Sequence, residues 1–265
     1  VNDLSQFDHK LSFHENRGVD VAPFLQQLSH VQEDVFVKIH SKKSQWGFKF
    51  HINWREILLN DLIGSEQIFE RNLKTLTRYK NNAVLCNKTM LLNNREFYNS
   101  KNIRVICDIL NIDYESVKNS DFVAGNMFMA KTSLYKKYFN NKNTKMILSL
   151  LSDERGKVSD YQAGTFSHSM ERIFGYIVKY DNLNFCHPKH KAIKILNNNA
   201  PNKKFFNLII THNSYCYLLE EPNIYGRFIK HNDHYTIEWY HLESKTIATY
   251  RKINYNTIIR DSLID

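Results

Sequence analysis

The chain has 265 residues, enough for one large domain or two small ones at about 150 residues each. A hydrophobic fraction of 42% suffices for a packed core, while 8 glycines and 4 prolines exclude collagen-like and low-complexity architectures. The 36 Lys and Arg outnumber 27 Asp and Glu, and the resulting +9 favours anionic partners (nucleic acid, acidic lipid, phosphorylated small molecules) without choosing among them.

Cys86, Cys107, Cys186 and Cys216 show no CxxC pair and no His at ligand spacing beyond His187 beside Cys186. A disulfide scaffold and a structural zinc site are therefore not expected, and scattered thiols suit a cytosolic setting. No apolar run approaches the roughly 18 residues that cross a bilayer, and no basic-then-apolar leader opens the sequence. The expectation is a soluble chain.

Lys10 to Phe13 reads as a short first strand, ending in the polar loop His14-Glu15-Asn16-Arg17-Gly18. A helix should follow, with Asp20 as its N-cap, Pro23 in the first turn and Phe24, Leu25, Leu28 and Val31 as its apolar stripe. Asp34 to His40 alternates like a strand, so the three segments form a βαβ unit and predict parallel neighbours. Ile52 to Leu62 and Ser65 to Tyr79 are helical by apolar spacing, with Ser65 placed to cap the second. Ala83 to Cys86 is a short strand and Ile103 to Leu110 a helix. Phe122 to Ala130 reads as one strand whose Gly125 lets a ligand or another backbone come close. Thr132 to Phe139 is a helix, and a longer one covers Thr165 to Val178 with Phe166, Met170, Ile173, Phe174 and Ile177 inward.

Lys189 to Lys204, with its Asn-Asn-Asn-Ala-Pro-Asn run, reads as a linker. Short strand-like segments follow at Leu208–Thr211, Tyr215–Leu219, Tyr225–Lys230, Tyr235–Leu242 and Thr246–Ile253, the pattern of an antiparallel meander. The division expected is an α/β domain over 1–195 and a β-rich accessory segment over 205–265.

Four stretches carry candidate chemistry. At a strand end, Arg17 offers a fork to a diphosphate or carboxylate, Gly18 a tight turn, and Asn16 or Asp20 a bond to a sugar hydroxyl. The plainer alternative is a helix cap with a surface Arg. Lys38, His40, Lys42 and Lys43 form a cationic strand end able to neutralise a departing diphosphate, or simply a solvated basic loop. Gly125 and Asn126 sit in an apolar run that suits either a pocket floor or a core strand. Finally, Asp160 precedes a helix on which His168, Glu171 and Arg172 share one face, as a general-base cluster or a salt-bridged surface.

Taken together, these stretches resemble the rhamnan synthesis F protein family, bacterial glycosyltransferases that build rhamnose-containing surface polysaccharides. The likeness lies in Glu15-Asn16-Arg17-Gly18-x-Asp20-x-x-Pro23-Phe24-Leu25, Lys38-Ile39-His40-Ser41-Lys42-Lys43-Ser44, Trp54-Arg55-x-x-Leu58-Leu59, Ala124-Gly125-Asn126-Met127-Phe128 and Gly164-Thr165-Phe166-Ser167-His168-Ser169-Met170-Glu171-Arg172. It spans residues 10 to about 180 and leaves the C-terminal β segment uncovered.

The resemblance implies a Rossmann-like, GT-A-type mixed or parallel sheet with flanking helices, followed by the small antiparallel β-meander. It implies an inverting transfer of a sugar from a nucleotide-sugar, with dTDP-rhamnose as one candidate donor, to a glycan or lipid-linked oligosaccharide of a capsule, O-antigen or rhamnan. Substrate contacts fall to Glu15, Asn16, Arg17, Asp20, His40, Lys42, Lys43, Trp54, Arg55, Gly125, Asn126 and Arg172, and base candidates to Asp160, His168 and Glu171. The basic letters at 40–43 stand where many such enzymes keep an acidic metal-binding motif, so no obligatory metal is expected. The setting implied is cytoplasmic, peripheral at an acidic membrane face, without nucleic acid.

Two departures accompany the likeness. The family usually carries Asp-Gly-Thr where this chain has Ala163-Gly164-Thr165, and it has further strands and helices ahead of the Asn-Arg-Gly loop reached here at residue 16. The expected domain therefore lacks part of the donor site. The competing reading is a non-catalytic glycan-binding or assembly module, resting on Tyr215, Tyr217, Tyr225, Tyr235, Trp239, Tyr240 and Tyr250 as sugar-stacking rings.

Overall fold

The computed structural model describes residues 10–40 apart from 16, 54–155 apart from 94 and 95, and 164–189, together with the backbone of seven strands between 191 and 263. Its elements in chain order are α1 (Val21–Leu28), β1 (Val35–Lys38), α2 (Trp54–Ile63), α3 (Glu66–Thr77), β2 (Asn82–Leu85), β3 (Leu91–Leu92), α4 (Ser100–Leu110), α5 (Tyr114–Val117), β4 (Phe122–Val123), β5 (Phe128–Lys131), α6 (Thr132–Tyr138), α7 (Asn141–Leu151), α8 (Phe166–Tyr180) and β6 (Asn184–Cys186). The remaining strands are β7 (Lys191–Asn197), β8 (Lys204–Ile210), β9 (Tyr215–Leu218), β10 (Ile224–Lys230), β11 (His234–His241), β12 (Ile247–Asn254) and β13 (Ile258–Leu263). The protein is mixed α/β.

Local chemistry starts two of the expected helices with a side-chain cap. Ser65 accepts from the Ile68 N–H at 3.2 Å and Thr165 from the His168 N–H at 3.1 Å, each satisfying an orphan donor of a first turn. Asn140 does the same for α7, accepting from Lys142 and Asn143. Asp20 does not cap α1: its side chain makes no cap bond and turns toward the sheet instead.

The four-stranded sheet has the order β1-β5-β2-β6. β5 runs antiparallel to both β1 and β2, whereas β2 and β6 are parallel. Three strands therefore point one way, and β5 returns between two of them. This corrects the expected βαβ unit: Lys10 to Phe13 lies outside any sheet, with Leu11 58% and Phe13 95% exposed, and the neighbour of β1 is antiparallel. Alternation alone made that segment look like a strand, but no described element covers it.

Phe122 to Ala130 is likewise not one strand. β4 pairs with β3, β5 joins the main sheet, and a turn at Ala124–Met127 separates them. Gly125 (φ +80°) and Asn126 (φ +56°) both take the left-handed conformation there, which asparagine tolerates better than most residues.

Phe24, Phe36, Phe128, Tyr135, Phe139 and Phe174 meet in the core at ring-centroid distances of 5.2 to 6.2 Å, bringing α1, β1, β5, α6 and α8 onto one aromatic cluster. Edge-to-face pairs of this kind add about 0.5–1.5 kcal/mol each beyond burial. The Tyr135 hydroxyl, fully buried, donates to the Phe174 carbonyl at 3.2 Å. Met170, Ile173, Phe174 and Ile177 are buried as the sequence pattern predicts, whereas Phe166 is only partly covered. α8 crosses β4 closely enough that a Cβ on Gly175 would stand 2.3 Å from the Asp121 carbonyl oxygen.

The second sheet has the order β12-β11-β10-β9-β8-β7-β13. β7 through β11 each pair antiparallel with the next strand in the chain, and β13 returns to the outer side of β7. The meander is therefore present, but it begins inside the stretch expected to be a linker: Lys191–Asn197 is a strand registered against both β8 and β13.

Candidate functional site

Because β1, β2 and β6 share a direction and β5 opposes them, their carboxyl ends and the start of β5 lie along one edge of the sheet. In open α/β sheets this is the edge at which ligands bind. Lys38 and His40 leave β1 there, Asn87 and Lys88 leave β2, His187 leaves β6, and the 124–127 turn enters β5.

The turn is the hub. The His40 Nε2 donates to the Gly125 carbonyl at 2.7 Å, and the Gly125 N–H donates to Glu171 Oε1 at 2.8 Å. Asn126 Nδ2 donates to Asp20 Oδ2 at 2.7 Å, and the Lys38 ammonium donates to the same carboxylate oxygen and to the Asn126 carbonyl, the latter at 3.1 Å. Two consecutive residues thus tie together the loop before α1, the end of β1 and the face of α8. Burial raises the Asp20 carboxyl, but the charges of Lys38 and His40 and the Lys38 hydrogen bond outweigh it, and the group ends below its ordinary value. Asn126 Oδ1 is buried with no hydrogen-bond partner among the described residues.

The loop before α1 is held in an uncommon shape. Gly18 (φ +59°) and Val19 (φ +54°) are both left-handed, and a β-branched residue rarely adopts that region. The Gly18 N–H donates to the Glu154 carbonyl at 2.8 Å, and the Arg17 guanidinium donates to the Ser152 carbonyl and to Glu15. Arg17 is therefore already engaged within the chain, with its side chain 29% exposed.

The start of α8 is engaged as well. The Glu154 carboxylate accepts from the N–H groups of Phe166 and Ser167 and from the Ser167 hydroxyl. An internal anion thus occupies the positive end of the helix dipole. His168 Nδ1 lies 2.6 Å from Thr165 Oγ1, so the ring rests against the cap.

Arg172 does not share the polar face expected of it. It is 4% exposed, stacked 4.7 Å over the Phe122 ring, and donates to the His168 carbonyl at 2.8 Å and to Glu171 Oε2 at 3.1 Å. Its role is to orient Glu171 from beneath. The helical period that puts residue 172 four after His168 also turns it toward β4.

Of the sequence-derived site residues, the structure brings Asp20, His40, Gly125, Asn126 and Glu171 together directly, with Arg172 behind Glu171. Glu15 and Arg17 form their own pair beside Glu154, with Glu15 exposed. Asn16, Lys42, Lys43 and Asp160 lie outside the described residues, and of Trp54 and Arg55 only the backbone, at the start of α2, is described. Lys38 is corrected: the residue is 5% exposed and its ammonium is committed to Asp20, so it does not serve as a solvent-facing cation for a phosphate.

Sequence reading passed over Glu154 and also the buried polar groups Asp61 and His187. Asp61 on α2 is 2% exposed and accepts from Asn87 Nδ2, while its carbonyl accepts from Asn72 Nδ2 at 2.6 Å. Burial pushes its carboxyl up to about 7, against the opposing influence of Asn87 and Arg71. His187 donates from Nδ1 to the Cys86 carbonyl at 3.0 Å, and burial holds its ring below the usual imidazole value despite that bond. Glu154 sits twelve residues before the helix it caps, beyond any local capping signal.

Among the described residues, no group of three or more His, Cys, Asp or Glu is placed to hold a metal ion, and no helix is long and apolar enough to cross a membrane. Comparison with protein-family models, with curated proteins and with solved structures finds no match.

Proposed function

We propose that the chain is a glycosyltransferase of the rhamnan synthesis F type, with a GT-A-like body, that moves a sugar from a nucleotide-sugar to a growing bacterial surface polysaccharide. One observation supports this reading above the others: residues from four separated motifs, Asp20, His40, Gly125–Asn126 and Glu171, converge on a single left-handed turn at the carboxyl edge of the sheet. Motifs 20, 85 and 45 residues apart in chain order meet there for no reason that helix capping or strand pairing supplies.

In the reaction, a base takes the proton of an acceptor hydroxyl. The freed oxygen attacks the anomeric carbon from the face opposite the diphosphate, the C–O bond to the diphosphate breaks with its electron pair, and the configuration inverts. Glu171 is the preferred base, because Gly125 and Arg172 fix both of its oxygens against the hub while it stays partly exposed. His168 and Asp160 are the other candidates. The charge gained by the diphosphate is met by Lys42 and Lys43, with Arg17 contributing once released from Glu15. The donor class is a nucleoside-diphosphate sugar, dTDP-rhamnose among the candidates, and the acceptor a glycan or lipid-linked oligosaccharide at the cytoplasmic membrane face.

Thermal unfolding in the presence of UDP, GDP, dTDP and their sugar conjugates tests the reading. A ligand at one hundred times its Kd adds about 2.7 kcal/mol, which raises Tm by roughly 5–10 °C in a chain of this size. Glu171→Gln should retain that shift and lose transfer. Binding without turnover in the wild type selects the assembly-module reading, and no shift with any member of the panel at millimolar concentration overturns the glycosyltransferase.

A further inference from the structure

We infer that Lys38 is a positioning residue: through the Lys38–Asp20–Asn126 linkage it holds the turn that presents Gly125 to His40 and Glu171. This deepens the reading above and rests on it for the ligand, though not for the geometry.

A buried ion pair is a poor device for stability. Desolvation of both charges offsets their attraction, and a well-packed apolar pair of the same volume often does as well. Here Lys38, at the end of β1, is 5% exposed; its ammonium lies 5.4 Å from the centroid of the Phe24 ring and donates to two parts of the hub. One bond goes to the carboxylate of Asp20, immediately after left-handed Val19. The other goes to the carbonyl of Asn126, immediately after left-handed Gly125. Each of these conformations is costly to hold and persists only where surrounding groups over-determine it. Lys38 is the described residue that grips both.

The Asp20 carboxylate closes the triangle by accepting from Asn126 Nδ2, which also fixes which way that amide faces. A reversed amide would set its oxygen against the carboxylate. The amide oxygen is consequently left buried and without a partner among the described residues. Everything the linkage fixes, including the Gly125 N–H aimed at Glu171 and the Gly125 carbonyl reached by His40, belongs to the edge where a ligand would sit.

The experiment replaces the pair together, Asp20→Asn with Lys38→Met, so that no unpaired charge is left inside. Ile147→Ala, a core truncation on α7 that removes none of the turn's hydrogen bonds, serves as the control for a loss of global stability. Two readouts are taken at a temperature where all three proteins are folded: hydrogen exchange of the Gly125 amide, and the Kd for UDP, GDP and dTDP. The expected result is a loss of Gly125 protection of about tenfold or more in the double variant and little change in the control, because local opening does not follow global stability. For whichever nucleotide the wild type binds, Kd should weaken by about tenfold or more in the double variant and stay within about twofold in the control.

Gly125 protection and Kd both unchanged in the double variant overturn the inference. If the wild type binds no nucleotide, the proposed function fails, and Gly125 exchange alone decides whether Lys38 positions the turn. Should the double variant not fold, Asn126→Gly, which keeps the left-handed backbone and removes only the link to Asp20, must show the same losses in smaller measure. Wild-type protection and affinity in Asn126→Gly would likewise overturn the inference.

Discussion

Asp61→Asn removes a buried carboxyl that desolvation raises far above its ordinary value. The wild-type carboxyl moves from an ordinary 3.8 to about 7 because α2 carries it into the interior, where it is 2% exposed beside Asn87 and Asn72. Between those two values the folded chain binds a proton that the unfolded chain has released, so stability falls as pH rises. At about 1.4 kcal/mol per pH unit the full loss is on the order of 4 kcal/mol, of which about 3 kcal/mol falls between pH 5 and pH 8. Other groups act in the opposite sense. Asp20, held low, contributes stability above its unfolded value that is lost as pH falls through its folded one, and His187, also held low, loses stability below its unfolded 6.5. Their effects are common to wild type and variant and cancel in the difference. Urea unfolding at pH 5 and pH 8, with the slope m unchanged, should therefore show Asp61→Asn gaining about 3 kcal/mol on the wild type between the two pH values. A difference between the proteins that is the same at both pH values would refute the reasoning.

Three further outcomes are expected from equilibrium unfolding. Glu154→Ala strips three hydrogen bonds from the start of α8 and should cost about 1–3 kcal/mol; a loss below about 0.5 kcal/mol would mean water replaces the carboxylate without penalty. Gly175→Ala favours the helix intrinsically by about 1 kcal/mol, yet its Cβ would stand 2.3 Å from the Asp121 oxygen and 2.6 Å from Phe122 Cα, so a net loss of about 1–3 kcal/mol is expected. A stabilised Gly175→Ala would show that α8 and β4 can separate at little cost. Val19→Gly relieves a left-handed β-branched residue and should stabilise by about 1 kcal/mol, the opposite of most loop-to-glycine changes, and a destabilised variant would show that the Val19 side chain contributes more than its backbone costs.

Capping and amphipathic spacing were legible in the letters, because both depend on residues within one or two turns. Ser65 and Thr165 cap the helices they precede, and the inward residues of α8 from Met170 onward follow its period. α7 went unread: its Asn-Lys-rich first turn hides the Ile147–Leu151 pair that buries it. The 122–130 run misled for a related reason. Apolar residues flank Gly125 on both sides, and nothing local says that the chain changes sheets there. Of the site, the residue types at Asp20, His40, Gly125, Asn126 and Glu171 were readable, but the roles of Lys38, Glu154 and Arg172 were not, since each is defined by a partner far away in the chain or beneath the surface.

What the sequence determined by itself was what short-range forces decide: the caps at Ser65 and Thr165, the inward stripe of α8, that α/β material is followed by a run of strands, and that the charge balance is positive. Tertiary structure alone decided the strand order β1-β5-β2-β6, the reversal of β5, and the meeting of residues 20, 38, 40, 126 and 171 at one turn. The physical reason is range. A cap or an amphipathic stripe is complete within a few residues, whereas a strand's neighbour and a buried lysine's counter-ion are chosen by packing the whole chain, where burial of the aromatic cluster outweighs any local preference.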